Sequence, residues 1–247
     1  AKKLNILAGP PSLLSLIARH RDAIAHPIDT LVSYAEVLDD QTRAHLEAAF
    51  GAPVVQIYQG AEGFIASTCR KGKLHLNEDT VLVEQEDADD TTGKAVKVVV
   101  TDLYRTTQPI IRYSLNDVLE IDPEPCACGS CFRVIKTIHG RADDIFILKG
   151  AAGETRYLFP DYVRRSINQA SDAILEYQAI QHATDTVEIR LVLAPGADRA
   201  AVEKTVRDNL LWRAQRVSGQ LDNIYFGDKP PERNPRSRKL IRVVRRF

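Results

Sequence analysis

The strongest constraint in this 247-residue chain is a change of hydrophobic period near residue 63. Before it, short apolar runs alternate with stretches whose apolar residues recur at helical spacing. Leu4 to Ala8 reads as a strand, and Pro10-Pro11-Ser12 followed by Leu13, Leu14, Ile17, Ala18 and Ile24 reads as a capped helix. Leu31 to Tyr34 is a second strand, Asp39 to Phe50 an amphipathic helix stopped at Gly51, and Val54 to Tyr58 a third strand. Strands alternating with helices predict a parallel α/β layer. After residue 63 the pattern becomes short strands punctuated by turns: Phe64–Cys69, Leu74–Leu76, Thr80–Glu86, Ala95–Thr101, Pro109–Tyr113 and Val118–Ile121, with a polar hairpin loop at Glu86–Gly93.

A third pattern starts near Gly140. Asp143–Leu148 reads as a strand, Phe159–Asn168 as a helix, Ile174–Gln181 and Thr186–Leu193 as paired strands, Asp198–Val217 as a long helix and Leu221–Phe226 as a strand. The expected architecture is therefore α/β (about 1–62) with a β-rich subdomain (about 63–142), followed by a small α+β C-terminal domain (143–247), a normal domain size.

Composition excludes several classes. With 44% hydrophobic residues the chain is not disordered, and 33 basic against 33 acidic side chains give no basic excess of the kind a dedicated nucleic-acid binder carries. No apolar stretch reaches the length of a membrane span, and residues 4–18 lack the shape of a signal peptide. Four cysteines fit a reducing compartment, with the cytoplasm as the expectation. The chain begins Ala1-Lys2-Lys3 and contains no methionine, so it is expected to be the distal part of a longer protein. Charge is divided: residues 1–142 hold 15 basic and 19 acidic side chains, residues 143–247 hold 18 and 14. A basic small domain opposite an acidic larger one suits closure over an anionic ligand.

Four segments carry candidate chemistry. Tyr58-Gln59-Gly60-Ala61-Glu62-Gly63 follows a strand of the α/β layer, and ligands of open parallel sheets sit at the carboxyl ends of strands. An aromatic face and a carboxylate there suit a nucleobase and a metal-bound phosphate; a turn with a solvated Glu is the plainer alternative. Gln108 to Asp117 ends in a carboxylate that can accept from a ribose diol, or is a polar loop ending an edge strand. Gly140-Arg141-Ala142-Asp143-Asp144 offers a planar guanidinium to ribose or phosphate oxygens, or an interdomain ion pair. Positions 233–247 hold seven basic residues and no acid, either a solvated tail or a source of a lysine that neutralises charge in a transition state.

Taken in order, Tyr-x-x-x-Glu, Ile-Arg-Tyr-x-x-x-Asp, Gly-Arg-x-Asp-Asp and a domain of about 100 residues ending in a lysine within a basic stretch resemble the adenylate-forming (ANL) superfamily. The phrases Gly72-Lys73-Leu74-His75-Leu76, Leu103 to Tyr113 and Cys126-Ala127-Cys128-Gly129 are similar to its phenylacetate-CoA ligase and coenzyme F390 synthetase-related branch. The resemblance implies that Tyr58 packs on adenine, that Glu62 helps hold Mg²⁺ at the ATP phosphates, and that Ser33-Tyr34-Ala35-Glu36 lines the adenine pocket. It further implies that Asp117 and Arg141 bind ribose, that Asp143 is the hinge of a mobile C-terminal domain, and that Lys239 reaches the acyl carboxylate and α-phosphate. The implied activity is AMP-forming activation of an aryl or acyl carboxylic acid, with transfer to CoA or a carrier-protein thiol. AMP transfer and a non-catalytic nucleotide-binding homologue stay open as alternatives.

The sequence departs from the superfamily pattern in four places. Ala61 stands where Thr or Ser usually contacts phosphate, Arg238 replaces the usual Gly before Lys239, Lys149–Phe159 does not follow the usual loop after the hinge, and the Ser/Thr/Gly-rich phosphate loop is absent. Separately, Cys126, Cys128 and Cys131 in Cys-x-Cys-Gly-x-Cys suit tetrahedral Zn²⁺ with Cys69 as the fourth ligand, His75 being the substitute if Cys69 points away. Unligated thiols and a redox pair are the alternatives. His139 is expected to be structural.

Overall fold

A computed structural model describes residues 5–88, 95–233 and 240–247. The chain forms two compact units, the first running to Ile138 and the second comprising His139–Phe247 together with Asn116–Val118.

In the first unit, β1 (Ile6–Gly9), β2 (Thr30–Ser33) and β3 (Val54–Gly60) are adjacent and parallel. Helix α1 (Pro11–Ala18) starts on a proline, whose fixed φ and missing N–H suit a first helical turn. Helix α2 (Asp40–Phe50) is capped by Asp39, whose carboxylate accepts from Thr42 N at 2.8 Å, and it ends on Gly51 in the left-handed region. Both helices bury Leu14, Leu46 and Phe50 against Leu31 and Val54. At residues 61–62 the chain reverses, so that β4 (Gly63–Thr68) runs antiparallel to β3 and β5 (Leu74–Leu76) antiparallel to β4.

Four more strands, β6 (Val81–Asp87), β7 (Ala95–Asp102), β8 (Tyr113–Asp122) and β9 (Val134–Arg141), complete one nine-stranded sheet of order β1-β2-β3-β4-β5-β9-β8-β7-β6. The α/β layer and the β-rich region thus share a sheet. The hairpin expected at Glu86–Gly93 joins β6 to β7, and most of it lies outside the described residues.

Two expectations are corrected here. Pro109–Tyr113 is not a strand: Pro109 has no N–H to donate, Arg112 sits at φ +46°, and Ile110 O and Arg112 N instead bond to Asp102 N and Thr101 Oγ1 at the end of β7. Strand β8 begins only at Tyr113. Strand β9, unassigned from sequence, occupies the centre of the sheet between β5 and β8.

The second unit opens with a 3₁₀ turn at Ala142–Asp144, so the strand expected from Asp143 starts at Phe146. β10 (Phe146–Lys149) and β11 (Thr155–Leu158) form a hairpin, the latter falling in the stretch that the sequence left unassigned. Next come α3 (Pro160–Asn168), β12 (Ile174–Ala183), β13 (Thr186–Leu193), α4 (Arg199–Arg216), β14 (Asn223–Gly227) and β15 (Val243–Arg245). The sheet order is β14-β13-β12-β15. One face of β12 and β13 buries Tyr177, Ala179, Val187, Ile189 and Leu191 in a core shared with α3 and α4. Among the described residues no helix is long and apolar enough to cross a membrane.

Candidate active site

Because β1, β2 and β3 are parallel neighbours, their carboxyl ends point the same way, with Gly9 beside Ser33, Ser33 beside Gln56 and β3 running on to Gly60, toward the edge at which α/β sheets bind ligands. Ser33-Tyr34-Ala35-Glu36 turns sharply there. Ala35 adopts φ +65°, Tyr34 N donates to Gly9 O at 3.3 Å, and the Glu36 carboxylate accepts from Ser12 N and Oγ at 3.2 and 2.9 Å. The Glu36 carboxylate, expected to line a nucleotide pocket, thus also fixes its loop to the first turn of α1. Ser33 Oγ is fully buried and has no hydrogen-bond partner among the described residues.

Tyr58 and Glu62 lie one loop along this rim. Tyr58 is partly buried on the sheet core of Ile65, Leu76 and Val98. The Glu62 carboxylate folds back over Gly60, where a Cβ would collide with it. The turn between them is held by residues to which the sequence reading assigned no role. Asp102 Oδ1 accepts from the backbone N–H of Tyr104 and Arg105 at 2.9 Å each. Arg105 pairs with the same carboxylate at 3.7 Å and donates to Ala61 O. The Tyr104 N–H first, and then Arg105, holds the Asp102 carboxyl below the usual carboxylate range, against the effect of burial. The signal was present: an Asp where a strand gives way to a turn can bond the backbone N–H groups two and three residues on.

Asp117 is half-buried on β8, and Arg141 is exposed at the end of β9. Within the second unit, the Asp143 carboxylate accepts from Asn116 Nδ2 at 2.6 Å, so the expected hinge residue is tied to the neighbour of Asp117. Burial pushes the adjacent Asp144 carboxyl upward, with Arg141 opposing. Gly140 sits at φ +112°, a conformation that favours glycine, and a Cβ there would also lie a tight 3.1 Å from Pro160 Cβ. His139 is buried and stacked on Phe159 with ring centroids 4.8 Å apart, a packing position. Lys239 lies outside the described residues.

The cysteines gather elsewhere in the first unit. One side-chain atom from each of Cys69, His75, Cys126 and Cys128 falls within 4.8 Å of all the others, an arrangement able to hold a metal ion. Burial raises the Cys69 thiol pKa, but the Lys71 and Lys73 N–H groups and the neighbouring thiols bring it down to about 7. Two expectations change. Cys131, expected as a ligand, is exposed and outside this group, and His75, expected only in place of Cys69, stands beside it.

No protein-family model matches the chain. It is 29% identical over 182 residues to Protein CapK of Staphylococcus aureus, an alignment covering 72% of this chain and 39% of CapK. It is 24% identical over 237 residues to phenylacetate-coenzyme A ligase of Thermus thermophilus, covering 85% and 52% respectively. The chain therefore spans about half, or less, of the length of these curated relatives. Among solved structures, 2-hydroxyisobutyryl-CoA ligase in the postadenylation state, in complex with 2-HIB-AMP, superposes with a TM-score of 0.73 at 21% identity, over 99% of this chain and 55% of that one. The fold, an α/β and β-rich sheet followed by a small α+β unit, is that of the adenylate-forming ligases.

Proposed function

We propose that the chain carries the distal nucleotide-binding rim and the C-terminal domain of an ATP-dependent, AMP-forming acid–thiol ligase of the ANL superfamily, close to the phenylacetate-CoA ligase branch. The observation that carries this reading is that the Ser33–Glu36 loop and the Tyr58–Glu62 turn both leave the carboxyl ends of adjacent parallel strands, within a fold shared with ligases of that kind. The relatives' names lend support, since one of them is a CoA ligase.

In this reading Tyr58 supplies an aromatic face for adenine, packed from behind by the sheet core, and the Ala35 turn closes the other side of the base. Asp117 accepts from the ribose diol and Arg141 donates to the ribose. Glu62 has the hard oxygen ligands that Mg²⁺ prefers, and Mg²⁺ at the ATP phosphates would offset charge as it builds. A carboxylate is a poor electrophile. Its oxygen therefore attacks the α-phosphorus of ATP, the bond to the β-phosphate oxygen breaks, and pyrophosphate leaves with that electron pair. Lys239 neutralises the oxygens of the acyl carboxylate and α-phosphate. A thiolate, from CoA or a carrier protein, then attacks the acyl carbonyl and AMP leaves. Rotation of residues 143–247 about Asp143 separates the two steps, a division of labour that a domain motion can impose. The compartment proposed is the cytoplasm.

The test is acid-dependent pyrophosphate–ATP exchange with the intact protein over a panel of aromatic and aliphatic acids, together with Lys239→Ala. Exchange with one acid class and its loss in the variant are expected. Well-folded protein that shows no exchange with any acid refutes the reading and favours a non-catalytic nucleotide-binding homologue.

A further inference from the structure

The geometry points to a structural Zn²⁺ site formed by Cys69, His75, Cys126 and Cys128, with Cys131 excluded. The inference rests on the distances between these residues and the hydrogen bonds made to them, and is independent of the ligase reading.

Tetrahedral Zn²⁺ holds thiolate sulfur at about 2.3 Å and imidazole nitrogen at about 2.0–2.1 Å, which places two sulfur ligands about 3.8 Å apart and a sulfur and a nitrogen about 3.6 Å apart. Cys69 Sγ and Cys126 Sγ are separated by 3.9 Å, and Cys128 Sγ and His75 Nε2 by 3.5 Å. Both separations are edges of that tetrahedron. The sulfur–sulfur distance is far too long for a disulfide, in which it is about 2.05 Å.

The surroundings are built for thiolates. Lys71 N–H donates to Cys69 Sγ at 3.3 Å and Ser130 N–H to Cys128 Sγ at 3.4 Å. Each donor comes from a tight turn: Gly72 N bonds to Cys69 O and Gly129 N to Cys126 O, and both glycines sit at positive φ, +77° and +86°. His75 Nδ1 lies 2.9 Å from Phe132 O, so with its proton on Nδ1 the ring presents the Nε2 lone pair to the sulfurs. Metal-bound histidines are oriented in this way by a carbonyl on the other nitrogen. Arg70 donates to Cys128 O at 3.0 Å, bringing a cation to a site whose three thiolates outweigh the metal by one charge.

Four protein ligands leave no open position, which assigns the site to structure, and three sulfurs with one nitrogen favour Zn²⁺ over the all-cysteine sets of iron–sulfur clusters. The ion would join the β4–β5 turn to the irregular connection between Asp122 and Val134, which brings two of the ligands.

The experiment is elemental analysis of the intact protein purified without added metal, followed by Co²⁺ exchange. About one zinc per chain is expected, and Co²⁺ should give intense tetrahedral visible bands with a sulfur-to-metal charge-transfer band sized for three thiolates. Cys131→Ser should keep the full zinc content, while Cys126→Ser and His75→Ala should lose most of it. Should those two fail to fold, His75→Cys decides: it should retain zinc and raise the charge-transfer intensity by about a third, from three thiolates to four. Well-folded protein without zinc, iron in its place, or zinc lost in Cys131→Ser but kept in His75→Ala would overturn the assignment.

Discussion

Replacing Arg190 by methionine should destabilise the second unit by about 3 kcal/mol. Glu188 and Arg190 project from the face of β13 opposite the apolar core, and both are largely covered, with side chains 10% and 6% exposed. Arg190 Nε donates to Glu188 Oε1 at 2.6 Å and Nη2 to Oε2 at 3.3 Å, while Nη1 donates to Glu232 at 2.7 Å. Removing one partner of a buried pair costs about 3–5 kcal/mol because the other charge stays behind without compensation. Glu188 keeps one partner, His182 Nε2 at 2.9 Å, and Glu232 is half-exposed, so the lower end of that range applies.

Trp212 on α4 is the only tryptophan of the chain, so its fluorescence during urea unfolding reports on the second unit. With a slope of about 1.5 kcal/mol/M the midpoint should fall by about 2 M. A second reading comes from acid. The Arg190 hydrogen bond is the main cause of the depressed Glu188 carboxyl. A depressed carboxyl stabilises the fold above its unfolded value, about 4.3, and that contribution is lost as pH falls through the lower folded value. Arg190→Met should therefore flatten the acid-side loss of stability. The reasoning is refuted by a midpoint shift under about 0.5 M, or by losses in Arg190→Met and Glu188→Gln that add without coupling in the double variant.

The neighbouring Gln178 links this network to the proposed chemistry. Its amide donates to Ile241 O at 2.9 Å and accepts from Glu232 N at 3.1 Å, so it pins both flanks of the segment that contains Lys239. Gln178→Ala should lower the maximal rate of pyrophosphate exchange several-fold with little change in the KM for ATP, whereas a matching rise in KM would contradict this positioning role. Arg105→Ala frees Ala61 O and should instead raise the KM for ATP in the same assay. Gly219→Ala places a Cβ 2.9 Å from Leu148 Cβ and 2.6 Å from its Cδ1, and Leu148 is fully buried, so a loss of about 1–3 kcal/mol should appear in Trp212-monitored unfolding. Asp39→Ala removes the cap of α2 and should cost about 1 kcal/mol, read by circular dichroism during unfolding.

Much of the fold was legible because it depends on local rules. The Asp39 cap and the Gly51 stop bound α2 within one residue of expectation, since caps are set by the unpaired N–H and C=O groups of the helix itself. The paired strands β12 and β13 lie where the sequence places them, and in Thr186–Leu191 polar and apolar residues alternate as a two-faced strand requires. Three strands were missed: β9, despite its eight residues, and two others that share a cause. Strands β11 and β15, with four and three residues, are too short to show a period. Only a partner strand makes such a segment a strand. Pro109–Tyr113 failed in the opposite sense, because its apolar run was recruited to close the end of β7.

The candidate site divides in the same way. Residue types and their order along the chain were enough to propose Tyr58, Glu62, Asp117 and Arg141 as a nucleotide-binding series, because each proposed role needs a particular functional group. The candidate metal-binding group could not be read so far. Cys-x-Cys-Gly-x-Cys groups three thiols that are close in sequence, yet a ligand is defined by where its side chain points. The pairing of β5 with β9 sets His75 opposite Val134, with its ring held by Phe132 O, while the chain carries Cys131 outward. By itself, then, the sequence determined the helices, most of the strands and the chemical identity of the functional groups, all governed by contacts within a few residues. Tertiary structure alone decided that His75, and not Cys131, gathers with Cys69, Cys126 and Cys128, that Asp102 and Arg105 support the Ala61 turn, and that one sheet carries both halves of the first unit. Each of these depends on pairing between strands far apart in the chain, which no local pattern encodes.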